Sequence, residues 1–176
     1  APVSHQHAGA NLNLAAQYSW NYELGVRSDV TSGLYAEATL FRLDFENQIV
    51  PASVAGGVGA GLTSAGETLQ EGLEVAGNVE STGFADWPVD VFGRLSWTWL
   101  WTAEYVGERY SSIPGFTKVS VTGNRLPYTP EQLLAATLGV RAKFGLSVEI
   151  EGVYTSSAFT DDLNTVEITP NGQRGE

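Results

Sequence analysis

Cysteine and methionine are both absent from this sequence of 176 residues. The lack of cysteine excludes a disulfide framework, a thiolate nucleophile and a cysteine-based metal site. Basic residues are few, nine Lys and Arg against twenty Asp and Glu, so the formal net charge is −11. A chain with this charge does not attract phosphate backbones, and we expect no nucleic-acid partner. No run of about 18 apolar residues occurs, which excludes a transmembrane helix but leaves a membrane β-barrel open, because its strands alternate.

Recognisable catalytic motifs are also missing, so we expect no enzyme, no catalytic residue and no cofactor. The sequence contains neither a G-x-S-x-G nor an H-E-x-x-H motif. His5 and His7 could share one side of an extended segment, but no third ligand is near, so two solvated histidines and no metal site are expected. The Gly-rich stretch at residues 56–61 lacks the spacing and the following helix that phosphate binding requires.

The clearest pattern lies between Pro88 and Glu104, PVDVFGRLSWTWLWTAE. Alternate residues are apolar on one side of the chain (Val89, Val91, Leu95, Trp97, Trp99, Trp101) and mostly polar on the other (Asp90, Arg94, Ser96, Thr98, Thr102). This period of two predicts a strand with one apolar face, because a helix would scatter the three tryptophans around its axis.

Two environments fit such an apolar face. In a β-sandwich the face would meet a second sheet, but three neighbouring indoles would each need a partner for the ring N–H. In a membrane barrel the face meets lipid, and tryptophan collects at the headgroup level, where its N–H stays hydrated. The tryptophans therefore favour lipid over a sandwich core.

The same alternation predicts five more strands, and the lengths of their connections form a pattern. The six strands are expected at Ser19–Ser28, Leu34–Gln48, Gln70–Glu80, Pro88–Glu104, Leu133–Lys143 and Leu146–Ser156. Long connections alternate with short ones, so antiparallel strands place all the long ones at one edge. Outer-membrane barrels show this sorting of long extracellular loops and short periplasmic turns.

The second strand is the least regular. Leu34, Ala36, Ala38 and Leu40 share one parity, whereas Phe41, Leu43 and Phe45 share the other. Either a β-bulge near Leu40–Phe41 or departure of the strand from the lipid at this point explains the change. Six strands are too few to close a membrane barrel, so we expect an excerpt of a larger barrel, or else assembly with other chains.

Four stretches resemble the later barrel strands of TonB-dependent outer-membrane receptors, most closely those of the ferric dicitrate branch. They are SWNYELGVR at Ser19–Arg27, LYAEATLFRLDFENQI at Leu34–Ile49, GNRLPYTPEQLLAATLGVR at Gly123–Arg141 and SSAFTDDLNTVEITPNGQRG at Ser156–Gly175. The resemblance implies an all-β, antiparallel up-and-down barrel of 22 strands in the bacterial outer membrane. Residues 1–176 would be part of that barrel domain, without the plug domain and the final strands.

The resemblance also implies partners and site residues. The partners would be a ferric chelate, such as a siderophore or ferric citrate, outer-membrane lipid, and the TonB energy-coupling complex, which would contact parts outside this chain. Basic loop residues suit an anionic chelate because arginine donates two parallel hydrogen bonds to a carboxylate. The candidate ligand contacts are Arg109, Lys118, Arg125, Arg174 and Ser53, the last in place of the family's polar amide.

Other loop and strand residues carry further expectations. The acidic loop residues Glu108, Asp161, Asp162 and Glu167 would repel ferric citrate, or could bind calcium or bridge to lipopolysaccharide. The aromatic residues expected at the membrane interface are Trp20, Tyr22, Trp97, Trp99, Trp101 and Tyr154. The alternative to a transporter is a free-standing all-β carbohydrate-binding or adhesion module, in which the tryptophans would stack on sugars.

Overall fold

The computed structural model describes residues 16–47, 49–51, 62–64, 66–83, 86–107, 109–111, 113, 115–116 and 119–176. The strands in these ranges are β1 Tyr18–Thr31, β2 Leu34–Glu46, β3 Ile49–Pro51, β4 Leu62–Ser64, β5 Glu67–Glu80, β6 Val89–Val106, β7 Gln132–Ala142 and β8 Ser147–Thr155. A single 3₁₀ turn, Ser81–Gly83, is the one helical element in the same ranges. None of the described residues belongs to a helix long and apolar enough to cross a membrane.

The six long strands form one antiparallel sheet in the order β1-β2-β5-β6-β7-β8. Each long strand pairs with the next long strand along the chain, which is the up-and-down connectivity that the sequence predicted. The sheet is open, with β1 and β8 as its edge strands. The predicted all-β architecture of antiparallel up-and-down strands is confirmed by this sheet.

Two opposite faces of the sheet follow from the continuous register. Successive partners across the strands are Val26, Ala38, Val75, Trp97, Leu134 and Tyr154 on one side, which we call the apolar face. The adjacent row, on the polar face, contains Arg27, Glu37, Ala76, Ser96, Ala135 and Val153. Because side chains alternate along every strand, each apolar set falls on the same side as its neighbours.

Phenylalanine rings interrupt the polar face where they cover glycines of the neighbouring strand. A Cβ built on Gly139 would lie 2.7 Å from Phe92 Cε1, and one built on Gly72 would lie 2.7 Å from Phe41 Cε1. Phe92 is buried, and the Arg141 guanidinium lies 5.1 Å from the centre of its ring. Phe41 in β2 and Phe92 in β6 lie on the polar face of the sheet. Each packs against the backbone of the partner strand at a glycine, where that strand has no side chain.

The apolar pattern of β2 changes because its side chains become charged, and not because its backbone has a bulge. The register of β2 with both neighbours runs through Leu40 and Phe41 without a shift, so the bulge considered there is wrong. Beyond Leu40 the apolar face becomes charged. Arg42 pairs with Asp44 at 3.0 Å and with Glu71 on β5 at 2.9 Å. The apolar band of β2 ends at Leu40, which agrees with the second explanation.

A bulge is present in β6 instead. Leu73 lies opposite Trp99 and Glu71 lies opposite Thr102, so β6 contains one extra residue between these two pairs. The insertion falls at Leu100–Trp101, where the strict alternation of the tryptophan stretch ends. A second register shift lies in β1 between Asp29 and Thr31, beside a turn shorter than the predicted one.

The connection between β2 and β5 also differs from expectation at its ends. It was predicted to be a loop throughout, but β3 and β4 pair as a short antiparallel hairpin, with Val50 opposite Thr63. Both segments contain β-branched residues, which favour extended backbone. Three residues are too few to show a period of two, which is why the alternation did not reveal them. Residues 52–61, including Ser53, lie outside the described residues.

We expect Gly139→Val to destabilise the native protein because its side chain would displace the Phe92 ring. Overpacking of this kind costs about 1–3 kcal/mol. The measurement is the urea concentration at which half of the protein is unfolded. The folded fraction is determined from the gel band of unboiled samples, which shifts when the protein unfolds. Gly152→Val on β8 is the matched control, since no atom lies within 4 Å of the Cβ position there. Equal midpoints for the two variants would contradict the proposed packing.

Candidate functional site

Two long segments meet at one edge of the sheet. Residues 107–131 connect β6 to β7 and residues 156–176 follow β8, so both leave the sheet at the same end of alternate strands. Their backbones bond to each other, since Tyr128 N–H donates to the Phe159 carbonyl at 2.8 Å. We call these two segments the loop cluster.

Buried carboxylates hold the loop cluster together. Asp161 and Asp162 are only 7% and 3% exposed. Ser111 Oγ donates to Asp162 Oδ1 at 2.8 Å, and Asn124 Nδ2 donates to the Asp162 carbonyl at the same distance. Asp161 Oδ1 accepts the backbone N–H groups of Leu163 and Thr165. These carboxylates therefore bind groups of their own chain.

Asn164 forms a reciprocal bridge between the two segments. Its Oδ1 accepts the Arg125 backbone N–H at 2.7 Å, and its Nδ2 donates to the Arg125 carbonyl at 2.8 Å. Its φ of 54° lies in the left-handed region, which asparagine tolerates better than most residues. Asn164 was not among the site residues predicted from the sequence. An asparagine in a turn indicates a local bend in the chain, but it does not identify a hydrogen-bond partner 39 positions away.

The Arg125 guanidinium is directed back at the sheet. Its Nη2 donates to the Leu100 carbonyl at 2.8 Å and its Nε donates to the Thr129 carbonyl at 3.0 Å. Leu100 lies in the β6 bulge, so Arg125 satisfies a carbonyl at the irregular part of the ladder. Burial lowers the pKa of the Arg125 guanidinium, because desolvation disfavours its charge.

Arg109 and Arg174 each lie over an aromatic ring of the loop cluster or its base. The Arg109 guanidinium carbon is 4.0 Å from the centre of the Tyr105 ring, and that of Arg174 is 5.4 Å from the Phe116 ring. Stacking of this kind fixes the plane of the guanidinium while its edge can still donate hydrogen bonds. Of the other predicted ligand contacts, Lys118 and Ser53 lie outside the described residues, as does Glu108.

The predicted interface aromatics share the apolar face. Trp97 and Trp99 stack with ring centres 6.0 Å apart, and Trp101 meets Trp99 edge to face at 5.5 Å. The Trp99 ring N–H donates to Glu131 Oε1 at 3.1 Å. Trp20, Tyr22 and Tyr154 are exposed on the same face. Their role at a membrane interface stays a prediction.

Acidic side chains do not form a recognisable metal centre in the described part of the chain. No group of three or more His, Cys, Asp or Glu side chains there could hold a metal ion. His5 and His7 lie outside the described residues.

An open antiparallel sheet with one apolar face, an aromatic row and long loops sorted to one edge defines the wall of a membrane β-barrel. Residues 4–173 match the family described as TonB dependent receptor-like, beta-barrel. The chain therefore belongs to the TonB-dependent receptors, which are transporters of the bacterial outer membrane coupled to TonB. In outer-membrane barrels the apolar face of the strands is turned to lipid and the long loops are extracellular, so we expect these positions for the apolar face and the loop cluster.

We expect Asn164→Ala to loosen the loop cluster, because it leaves the Arg125 N–H and C=O without their partner. Unpaired buried groups cost about 1–3 kcal/mol, so amide exchange at Arg125 should accelerate about tenfold or more. Hydrogen exchange with mass spectrometry on the native receptor measures this. Asn171→Ala, which loses only local bonds to Thr169 and Gln173, is the control. Unchanged exchange in Asn164→Ala would contradict the bridge.

Proposed function

We propose that this chain forms part of the wall and extracellular loops of an importer of ferric chelates. The supporting observation is the pair Arg109 and Arg174, two cations held over aromatic rings in the loop cluster. The chelate would be a siderophore or ferric citrate, the latter in keeping with the resemblance to the ferric dicitrate branch. The iron is cargo and not a resident cofactor.

Anion recognition by these arginines has a clear chemical basis. A ferric chelate presents carboxylate or related anionic oxygens, and a guanidinium donates to two of them at once. A ring behind each guanidinium orients it before the ligand arrives, which lowers the entropy lost on binding. Arg125 already donates to two backbone carbonyls, so we assign it to loop positioning first. Ligand contacts by Arg125, Lys118 and Ser53 remain predictions.

The acidic residues of the loop cluster do not prevent this function. Asp161 and Asp162 are buried among backbone and side-chain donors, so neither carboxylate presents its charge at the loop surface. Asp161 Oδ1 and Asp162 Oδ1 already accept hydrogen bonds from the loops, whereas Asp161 Oδ2 has no described hydrogen-bond partner. Calcium binding or bridging to lipopolysaccharide by these two residues therefore stays a prediction. Glu167 stays a candidate for such contacts.

The remaining parts of the proposal concern the barrel as a whole. The six long strands would belong to a 22-stranded barrel with a plugged lumen, and β1 and β8 would pair with further strands. Coupling to the TonB complex would involve parts outside residues 1–176. Trp20, Tyr22, Trp97, Trp99, Trp101 and Tyr154 would lie in the aromatic girdles. Family membership favours this reading over a free-standing carbohydrate-binding or adhesion module.

We expect Arg109→Ala and Arg174→Ala in the native receptor to weaken binding of its ferric chelate. Losing a charge-assisted hydrogen bond costs about 1.5–3 kcal/mol, or about 10–150-fold in Kd. Uptake of radioactive iron from ferric citrate and from purified siderophores, in cells that carry only this receptor for iron, identifies the chelate. Direct binding to the purified receptor then gives Kd for each variant.

Lys143→Ala is the matched control, because Lys143 lies in the turn between β7 and β8 at the opposite edge and pairs only with exposed Asp86 in the described structure. Its affinity should equal that of the parent receptor. Iron uptake that persists unchanged when the receptor gene is deleted, with no chelate bound by the purified protein, would refute the proposed cargo. Equal affinities of the arginine variants and the control would refute the assigned contacts.

A further inference from the structure

A row of small residues crosses the apolar face. Successive partners in this row are Ser28, Ala36, Gly77, Leu95, Ala136 and Gly152. Leu95 is the one large member. The row above it contains Val75, Trp97, Leu134 and Tyr154, and the row below contains Leu34, Val79, Leu138 and Ile150. Large side chains therefore border a line of small ones on both sides.

The small-residue row is the floor of an apolar depression of about 440 Å³. The depression spans β2, β5, β6 and β7, with Ala36, Gly77 and Ala136 at its base and Leu95 between the last two. Three strand spacings of about 4.8 Å make it about 14 Å across. We call it the wall groove. Its surface is formed by carbon atoms almost throughout, although it lies open on the exterior of the sheet.

Gly93 shapes the lower rim of the wall groove. A Cβ at this position would lie 3.1 Å from Leu138 Cδ2 and 3.2 Å from Val79 Cγ1. The glycine therefore lets these two side chains approach the backbone of β6 closely from either side. Leu138 still has 66% of its surface exposed, so the rim projects from the wall and is not buried by the sheet itself.

The position of the wall groove along the strands indicates which leaflet of the membrane it faces. Leu34 follows the two-residue turn after β1, and Gly93 lies near the start of β6, so the groove is close to the edge with the short connections. Short turns face the periplasm in outer-membrane barrels, whereas the tryptophan row lies toward the long loops. The groove thus opens into the periplasmic half of the hydrocarbon layer.

We propose that the wall groove binds one acyl chain of a phospholipid from the periplasmic leaflet. A concave apolar surface contacts a chain on several sides, whereas a flat wall contacts it on one, and these dispersion contacts add up. The groove is continuous with the lipid-facing surface that family membership assigns to this side of the sheet. Arg94 is the one charged residue among the described lining, and its register opposite Asn78 and Thr137 places it in a row of the polar face.

A second receptor is a less suitable occupant. A stable protein interface buries about 800 Å² on each partner, which is much more than a depression about 14 Å across provides. The projecting Leu138 and the large Trp97 on either side would hold a second wall away from the groove floor. A flexible hydrocarbon chain follows such a surface without this obstruction.

The proposal is tested with a phosphatidylethanolamine that carries a photoreactive diazirine on its acyl chain. The native receptor is reconstituted in vesicles with this lipid and irradiated, and cross-linked peptides are mapped by mass spectrometry. We expect labelling concentrated on β5, β6 and β7 at the groove. Ala36→Leu with Ala136→Leu fills the floor and should reduce this labelling several-fold.

Ala38→Leu is the matched control, since Ala38 lies one row above on the same face and outside the groove. It should leave labelling unchanged. Uniform labelling along the apolar face, or equal labelling in the filled variant, would overturn the proposal. So would receptor-to-receptor cross-links at the groove, which would indicate a second copy. Because the readout is lipid contact, it is independent of which chelate the receptor carries.

Discussion

The structure depends on one constraint, that backbone N–H and C=O groups inside a lipid bilayer must pair within the protein. The six long strands meet it through antiparallel ladders, with β1 and β8 as the edge strands of the described sheet. The same need for partners explains why Arg125 donates to a backbone carbonyl at the β6 bulge. An extra residue at Leu100–Trp101 disturbs the ladder, and Arg125 supplies a donor to the Leu100 carbonyl.

In the loop cluster, too, backbone N–H and C=O groups are paired, but here many of their partners are side chains. In the described loop residues long ladders give way to side-chain bonds: Asp161 and Asn164 accept backbone N–H groups, and Asn124 donates to the Asp162 carbonyl. Together these bonds join the two segments. Arg109 and Arg174, both half-buried, lie over aromatic rings at the same edge of the sheet.

Alternation along the chain predicted the six long strands, their order and their apolar face, because a period of two is a local property of each strand. Bulge positions were not predictable in the same way. The change of parity at Leu40–Phe41 resembled a bulge, but Arg42 and Glu71 show that the chain simply becomes charged there. The actual bulge follows from the pairing of β6 with β5, and pairing is a property of two strands. The roles of Arg125 and Asn164 likewise depend on contacts between residues distant in sequence.

The tie between Arg125 and the β6 bulge has a consequence for loop grafting between receptors. The segment after β6 is not an independent module, because Arg125 at its base is bonded to the carbonyl of Leu100, which lies in the bulge of the strand. A graft that transfers residues 107–131 alone keeps the bond from Arg125 Nε to the Thr129 carbonyl but removes Leu100, the acceptor of Arg125 Nη2. The transferable unit includes Leu100, Arg125 and the Asn164 segment together.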